Sequence, residues 1–282
     1  MNKLGEKMDN KIPLRFFVIA FLWTWIIFIP SVLVGLGFFP EYKEIMIKLT
    51  DPILVLACFG PAVGAIMSIY TLYGKNKLIE FYKSFFSLKF GWKIWIFIIL
   101  ITAIPSIISL IITILLGYKS SQINYYNILL FPLYWIVKVF LGGGQEEIGW
   151  RCYILKPLEN KFGYIFGSLI LGIIWAIWHI PFWFIPGTAQ NMLNMNFIGF
   201  MLSCIGWSYV FSWIMDLSKN KLMAGLVVHG TINAYNVLFS SIAIETGDSI
   251  ILSWIGTILV ILTGIIIVII RQYKYKSSPN FV

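Results

Sequence analysis

Long apolar runs separated by short polar gaps dominate the chain. Each run has about the 20 residues that an α-helix needs to cross a hydrocarbon core of ~30 Å. The first follows a lysine-containing N-terminus, is too long for a signal peptide and lacks an obvious cleavage site, so it predicts a retained span. The pattern predicts an all-α polytopic membrane helical bundle with about eight transmembrane helices, at residues 14–39, 53–73, 92–117, 127–150, 164–185, 195–215, 222–243 and 250–270.

Composition supports this prediction and excludes a water-soluble globule. The chain has 282 residues, of which 59% are hydrophobic and 12% are charged, and its mean hydropathy is +0.86. A soluble domain needs a larger polar share to cover its surface. Eight spans with short loops leave no room for a second domain, so residues 1–282 are predicted to form one multi-pass domain of the cell membrane.

The formal net charge of +9 in a soluble protein would suggest a nucleic-acid surface. Here the basic residues lie in the gaps between apolar runs, and sixteen of the 21 fall on one side of the predicted bundle, against three on the other. Positive residues mark cytoplasmic loops. The distribution therefore predicts two cytoplasmic termini and no nucleic-acid partner.

Few ionisable side chains fall within the predicted spans. Of twelve acidic residues, only Glu146 and Glu147 lie inside a hydrophobic run, and both histidines of the chain, His179 and His229, lie within spans. A charge at the centre of a membrane helix costs ~2.5 to 3.5 kcal/mol on insertion scales, so each such residue is a functional candidate. The three cysteines are widely spaced and are given no role.

The two adjacent glutamates differ in their expected environment. In a helix, residues four apart share a face, whereas neighbours point about 100° apart. Glu147 is therefore expected to pair with Arg151, in a structural role, and Glu146 is left without a partner on its own helix. The preceding glycines at 142–144 either allow close helix packing or weaken the helix and open a pocket; the sequence leaves both readings open.

Two further helices supply polar groups at helical spacing. His229 and Asn233 are four residues apart and share a face, so they can hold two points of one substrate, or one of them can orient the other. Trp175 lies one turn before His179, which places an indole over the approach to the imidazole. A lone membrane histidine can simply bridge two helices, but two histidines together with an unpaired glutamate favour a site.

These residues resemble the motifs of the CAAX protease and bacteriocin-processing family of intramembrane proteases. That family, also called CPBP or Abi, includes type II CAAX prenyl endopeptidases and lysostaphin-resistance-protein-A-like proteins. Its motifs are EExxxR, FxxxH and HxxxN/D on successive membrane helices. The resemblance covers a core of residues 127–245, with Trp in place of the usual Phe in the second motif. The three motifs are EEIGWR at 146–151, WAIWH at 175–179 and HGTIN at 229–233.

The resemblance implies hydrolysis of peptide bonds in membrane-associated or lipid-anchored proteins or peptides. It assigns Glu146 as the base that activates water and His179 as its partner. It assigns His229 and Asn233 to the scissile carbonyl or its oxyanion. The natural substrate, and whether it is prenylated, does not follow from the resemblance.

The resemblance leaves the metal requirement open. Glu146, His179 and His229 form a plausible three-ligand set for Zn²⁺, and a metal-free glutamate mechanism is the alternative. If Glu146 were a ligand, Glu147 would have to be the base, which conflicts with its expected pairing to Arg151. The spacing thus favours Glu146 as the base, with the metal absent or loosely held.

Two other functions remain compatible with the sequence. Glu146 and the histidines could relay protons in a proton-coupled transporter, although the polar residues cluster from Glu146 onward without a counterpart in the earlier spans, as a repeated carrier would show. A catalytically silent immunity or scaffold protein could also retain the motifs for packing.

Overall fold

The computed structural model describes residues 12–85, 90–117, 120–240, 242–244 and 249–277. The described elements in chain order are α1 (Leu14–Gly35), α2 (Lys43–Ala57), α3 (Gly60–Phe85), α4 (Trp92–Leu115), β1 (Ser120–Ile123), α5 (Tyr125–Leu129), α6 (Phe131–Leu141), α7 (Glu147–Gly149), α8 (Leu155–Trp178), α9 (Ala189–Met192), α10 (Phe197–Leu217), α11 (Leu222–Ser240), β2 (Ile242–Ile244) and α12 (Ser249–Ser277). The prediction of an all-α membrane bundle is confirmed.

Seven segments of the described chain are long and apolar enough to cross a membrane. One of them, Phe131–Phe184, has 54 residues, which would be roughly 80 Å as one straight helix. It includes most of the fourth and the fifth predicted span and is interrupted between α6 and α8. If the 54-residue segment crosses the membrane twice, the seven segments are compatible with the predicted count of about eight crossings. The cytoplasmic position of both termini stays a prediction.

A small antiparallel pair of strands was not predicted. β1 follows α4, β2 follows α11, and Ile123 pairs with Ile242 in their register. Ser120 pairs with Ile244, and the register shifts between Ser120 and Gln122. The two strands join the ends of two neighbouring spans that also pack against each other.

The second predicted span, 53–73, is also divided. α2 ends at Ala57, and α3 begins at Gly60 after a turn. Proline follows at position 61, where a first-turn position tolerates the missing N–H. Two helices therefore meet at a corner within the apolar run.

Helix α11 lies at the centre of the packing. It contacts α4, α6 and α10, together with the irregular segment between α6 and α8. Its first half is buried on all sides, as expected of a helix surrounded by other helices. Around it, α10 packs on α8 and α12, and α1 packs on α2 and α3.

Candidate active site

The segment that carries the glutamate pair is not a continuous helix. α6 ends at Leu141, a 3-10 turn covers Gly144–Glu146, and a π-helical turn covers Trp150–Ile154 before α8 begins. The break falls at Gly143, whose φ of +118° is a conformation that residues with a Cβ rarely adopt. Of the two roles left open for the glycines, the structure shows the interruption of the helix. The expected continuous fourth span is corrected accordingly.

Glu147 lies in a buried cluster of opposite charges. Its Oε2 is 3.3 Å from Nε of Arg151, and neither side chain is exposed. The spacing of four residues persists after the helix break, which is why the expected pair forms. Glu147 also accepts a hydrogen bond at Oε1 from Nδ1 of His229, at 2.7 Å. The glutamate thus joins its own segment to α11 as well as to its helical neighbour.

Aromatic rings enclose the guanidinium of Arg151. Its Cζ lies 4.4 Å from the ring centroid of Trp175 and 4.3 Å from that of Phe211, and Nη2 is 3.4 Å from the hydroxyl of Ser208. Such cation–π contacts compensate part of the cost of burying the charge. Arg151 is therefore fixed between α8 and α10, and it holds the Glu147 carboxylate in one place.

Glu146 is buried without such a partner. Only 3% of its surface is exposed, and among the described residues no cation forms an ion pair with it. Its Oε2 accepts a hydrogen bond from Nε1 of Trp175 at 2.9 Å, and the thiol of Cys58 lies beside the carboxyl group. One of its oxygens is held by an indole, and the carboxylate keeps capacity to accept further hydrogen bonds.

His179 ends helix α8 with its ring in a fixed orientation. Its Nδ1 lies 2.8 Å from the carbonyl oxygen of Trp175. Because a carbonyl can only accept, Nδ1 carries the proton in the neutral ring and Nε2 is left as an acceptor. A 3-10 turn with Pro181 follows at once, so the helix stops at the residue that carries the imidazole.

His229 and Asn233 converge beside Gly143. A Cβ built on Gly143 would lie 2.5 Å from Nδ2 of Asn233 and 2.6 Å from Nε2 of His229. Asn233 also donates from Nδ2 to the carbonyl of Gly142 at 2.7 Å, which anchors the amide on the broken segment. Glycine at 143 therefore lets the backbone lie against two polar groups of α11.

The first half of the chain closes the site, which the sequence did not predict. A Cβ on Gly149 would lie 2.3 Å from the carbonyl oxygen of Pro61, so the corner between α2 and α3 packs directly on α7. The same corner carries Cys58, which had been given no role. The Gly60–Pro61 dipeptide inside an apolar run is a turn signal that could have revealed the corner.

The structure places some of the predicted site residues closer to one another than others. Among the described residues, Glu146, Glu147 and His229 offer ligand atoms that lie within 4.8 Å of one another. His179 joins this group through Trp175, whose ring contacts both imidazoles edge-on, at 5.7 Å for His179 and 5.3 Å for His229. The group of possible metal ligands therefore differs from the set that the resemblance implied, with Glu147 in the place of His179.

In this arrangement Glu147 Oε1 and His229 Nδ1 are not spaced as two zinc ligands. Two ligands at 2.0 to 2.1 Å from tetrahedral Zn²⁺ lie roughly 3.3 Å apart, whereas Glu147 Oε1 and His229 Nδ1 are 2.7 Å apart and share a hydrogen bond. The other oxygen of Glu147 faces Arg151, whose charge would repel a second cation. The bond from Nδ1 to Glu147 leaves Nε2 of His229 as the ring nitrogen for a substrate or a metal, since a metal-bound histidine usually donates its other N–H to a carboxylate. This hydrogen bond is therefore compatible with a metal-free and with a metal-dependent mechanism.

Comparison with known proteins agrees with the motifs. Residues 128–235 match the family described as "Type II CAAX prenyl endopeptidase Rce1-like". The predicted resemblance to the CAAX protease family is confirmed. All three motifs lie within the matched segment, which supports an intramembrane protease in a multi-pass membrane protein.

Two curated proteins are similar over different lengths. The chain is 24% identical over 249 residues to "CAAX prenyl protease 2" of Methanococcus maripaludis, covering 83% of this chain and 89% of that protein. It is 29% identical over 138 residues to "Lysostaphin resistance protein A" of Staphylococcus haemolyticus, covering 47% of this chain and 35% of that protein. The first similarity includes much of the N-terminal half, which packs against the site.

Proposed function

We propose that this protein is an intramembrane endopeptidase that hydrolyses peptide bonds of membrane-associated or lipid-anchored proteins or peptides. The observation that supports this most directly is the division of the glutamate pair. Glu147 is paired with Arg151 and accepts a hydrogen bond from His229, whereas Glu146 is buried with an indole N–H as its donor. A carboxylate in that position is available to take a proton from water.

In the proposed reaction, water lies between Glu146 and the scissile carbonyl. Glu146 takes one proton, and the water oxygen forms a bond to the carbonyl carbon while the π electrons move to the carbonyl oxygen. When the tetrahedral intermediate collapses, the C–N bond breaks and the leaving nitrogen receives the proton from Glu146. A general base of this kind contributes typically ~10² to 10⁴-fold to the rate.

His229 and Asn233 are proposed to hold the developing oxyanion. One N–H of Asn233 Nδ2 is used by the carbonyl of Gly142, which leaves the second for a substrate oxygen. His229 Nε2 approaches the same point, and it donates when both ring nitrogens are protonated. The Glu147 carboxylate at Nδ1 compensates the charge of that ring. Donors fixed in advance in a water-poor site are often the largest catalytic contribution.

His179 is proposed to orient the attacking water. The bond from Nδ1 to the Trp175 carbonyl fixes the ring and makes Nε2 an acceptor for a water O–H. The two water protons would then be directed to Glu146 and to His179, which turns the oxygen lone pairs toward the substrate.

The reaction is proposed to need no metal. This proposal rests on the pairing of Glu147 with Arg151, which leaves Glu146 as the base rather than as a metal ligand. Activity should therefore survive incubation with 1,10-phenanthroline followed by removal of the chelator. Loss of activity that added Zn²⁺ restores, with bound zinc measured in the same sample, would show that a metal belongs to the site.

Cleavage of defined peptides tests the proposed function. Wild-type protein, Glu146→Gln, His179→Ala and His229→Ala are purified in lipid nanodiscs and incubated with membrane-tethered peptides, with and without a lipid anchor, and products are identified by mass spectrometry. We expect cleavage by the wild type and strong loss in each folded variant. Equal cleavage by all four proteins would contradict the assigned roles, and no cleavage by any of them would favour a carrier or a silent scaffold.

A further inference from the structure

Trp175 binds two of the proposed catalytic side chains at once. Its indole N–H donates to Oε2 of Glu146 at 2.9 Å, and its backbone carbonyl accepts from Nδ1 of His179 at 2.8 Å. The residue is 5% exposed, so both bonds lie away from water. A single residue of α8 thus fixes groups on two segments of the chain.

The ring of Trp175 is itself held on several sides. It meets the rings of His179, His229 and Phe211 edge-on, and the guanidinium of Arg151 lies over its face at 4.4 Å. An indole enclosed in this way has little freedom to rotate, and so the direction of its N–H is fixed. The hydrogen bond to Glu146 is therefore a constraint on the carboxylate rather than a variable contact.

We propose that Trp175 is a positioning residue for Glu146, an inference that rests on the proposed function. By occupying Oε2, the indole orients the carboxylate so that Oε1 accepts the proton of the attacking water. A hydrogen bond to a charged group in a low-dielectric interior is stronger than one in water. It therefore reduces the motion of a side chain that has no ion pair to hold it.

This role is specific to the residue type in this chain. The family motif that the segment resembles has Phe at the position of Trp175, and a phenyl ring has no N–H to donate. Exchange of Trp for Phe would keep most of the aromatic surface against the histidines and Arg151. It would remove only the donor and one fused ring.

Trp178 provides a matched control on the same helix. It is also buried, and it packs edge-on against His179 with ring centroids 4.7 Å apart. Its Nε1, however, has no hydrogen-bond partner among the described residues. Trp178→Phe therefore removes an indole of similar burial without removing a bond to Glu146.

The test compares kcat and KM for wild type, Trp175→Phe and Trp178→Phe with a membrane-tethered peptide that the wild type cleaves. For Trp175→Phe we expect kcat to fall about 10- to 100-fold, the range for loss of a hydrogen bond to a charged group, while KM is unchanged. Trp178→Phe should keep both constants, although both variants should unfold at similarly lowered temperatures. A third variant carries 3-benzothienylalanine at position 175, which keeps the shape of indole without the N–H, and it should behave as Trp175→Phe.

The possible outcomes separate this inference from the proposed function. If wild type cleaves and Glu146→Gln does not, but Trp175→Phe and the benzothienyl variant keep the wild-type kcat, positioning by Trp175 is wrong and the protease remains. A change in KM alone, or equal losses in Trp175→Phe and Trp178→Phe, would likewise overturn it in favour of packing. If wild type fails to cleave, or if Glu146→Gln cleaves normally, the proposed function fails first and this inference fails with it.

Discussion

Two clusters of buried charge lie in the part of the bundle that the structure describes, and they are built differently. Around Glu159, the carboxylate accepts hydrogen bonds from Arg271 at 3.2 Å and from Ser212, while Lys156 lies 3.9 Å away. Arg271 in turn pairs with Asp216. Each charge of this second cluster has a partner of opposite sign, and the cluster joins α8, α10 and α12.

The active-site cluster also combines buried carboxylates with an arginine, but one of its carboxylates forms no ion pair with an arginine or lysine among the described residues. Glu147 pairs with Arg151 and binds His229, whereas Glu146 has an indole N–H in place of a cation. A buried ion pair often adds little net stability, whereas a buried charge without its partner is costly. The comparison therefore supports the proposal that the unpaired carboxylate, rather than buried charge in general, carries the chemistry.

The largest effect is expected from the unpaired carboxylate. Glu146→Gln should lower cleavage by ~10² to 10⁴-fold, the range for loss of a general base, and should leave the unfolding temperature near that of the wild type. Peptide cleavage per mole of folded protein measures the first quantity, and thermal unfolding in nanodiscs measures the second. A variant that unfolds readily would show that Glu146 is structural.

Substitution of Glu147 should lower both peptide cleavage and stability. Glu147→Gln leaves Arg151 buried without its counter-charge, and breaking a buried pair costs ~3 to 5 kcal/mol. The orientation of His229 is lost with it, so activity should fall as well. Unfolding and cleavage are measured on the same preparation, and a stable but inactive Glu147→Gln would exchange the roles assigned to the two glutamates.

The close approach of Gly143 to Asn233 and His229 can be tested with a matched glycine. Gly143→Ala would place a methyl group 2.5 Å from Asn233 Nδ2 and 2.6 Å from His229 Nε2, and we expect a loss of activity of ~10² to 10³-fold, as for a damaged oxyanion site. Gly163 has a similarly positive φ, but nothing lies within 4 Å of its Cβ position. Gly163→Ala shares the backbone strain. Equal activity losses in the two variants would therefore contradict a role for the close contact of Gly143 with Asn233 and His229.

The smallest effect on activity is expected in the second cluster. Glu159→Gln removes a charge from Arg271, which keeps Asp216 as a partner, and should cost ~1 to 3 kcal/mol of stability. Cleavage per mole of folded protein should equal that of the wild type. If Glu159→Gln lost as much activity as Glu146→Gln, the difference between the two clusters would have no functional meaning.

Local spacing predicted much of the bundle and part of the site. Because residues four apart in a helix share a face, the sequence identified the pair of Glu147 with Arg151. This pair depends only on helical periodicity after the break. The sequence did not predict that the helix stops before Gly143, because a run of glycines is compatible both with close packing and with a break. It could not predict that the corner at Pro61 covers Gly149, nor that the indole of Trp175 reaches Glu146. Those contacts depend on how distant segments pack.

A single-turnover cleavage in H₂¹⁸O tests the central claim most directly. Excess wild-type protein cleaves a tethered peptide once, and mass spectrometry locates the isotope in the product and in the segment that contains Glu146 and Glu147. If Glu146 acts as a base on water, one ¹⁸O enters the new carboxyl terminus and none enters either glutamate. Appearance of ¹⁸O in the Glu146 side chain would show that this carboxylate attacks the substrate itself, which would contradict the account.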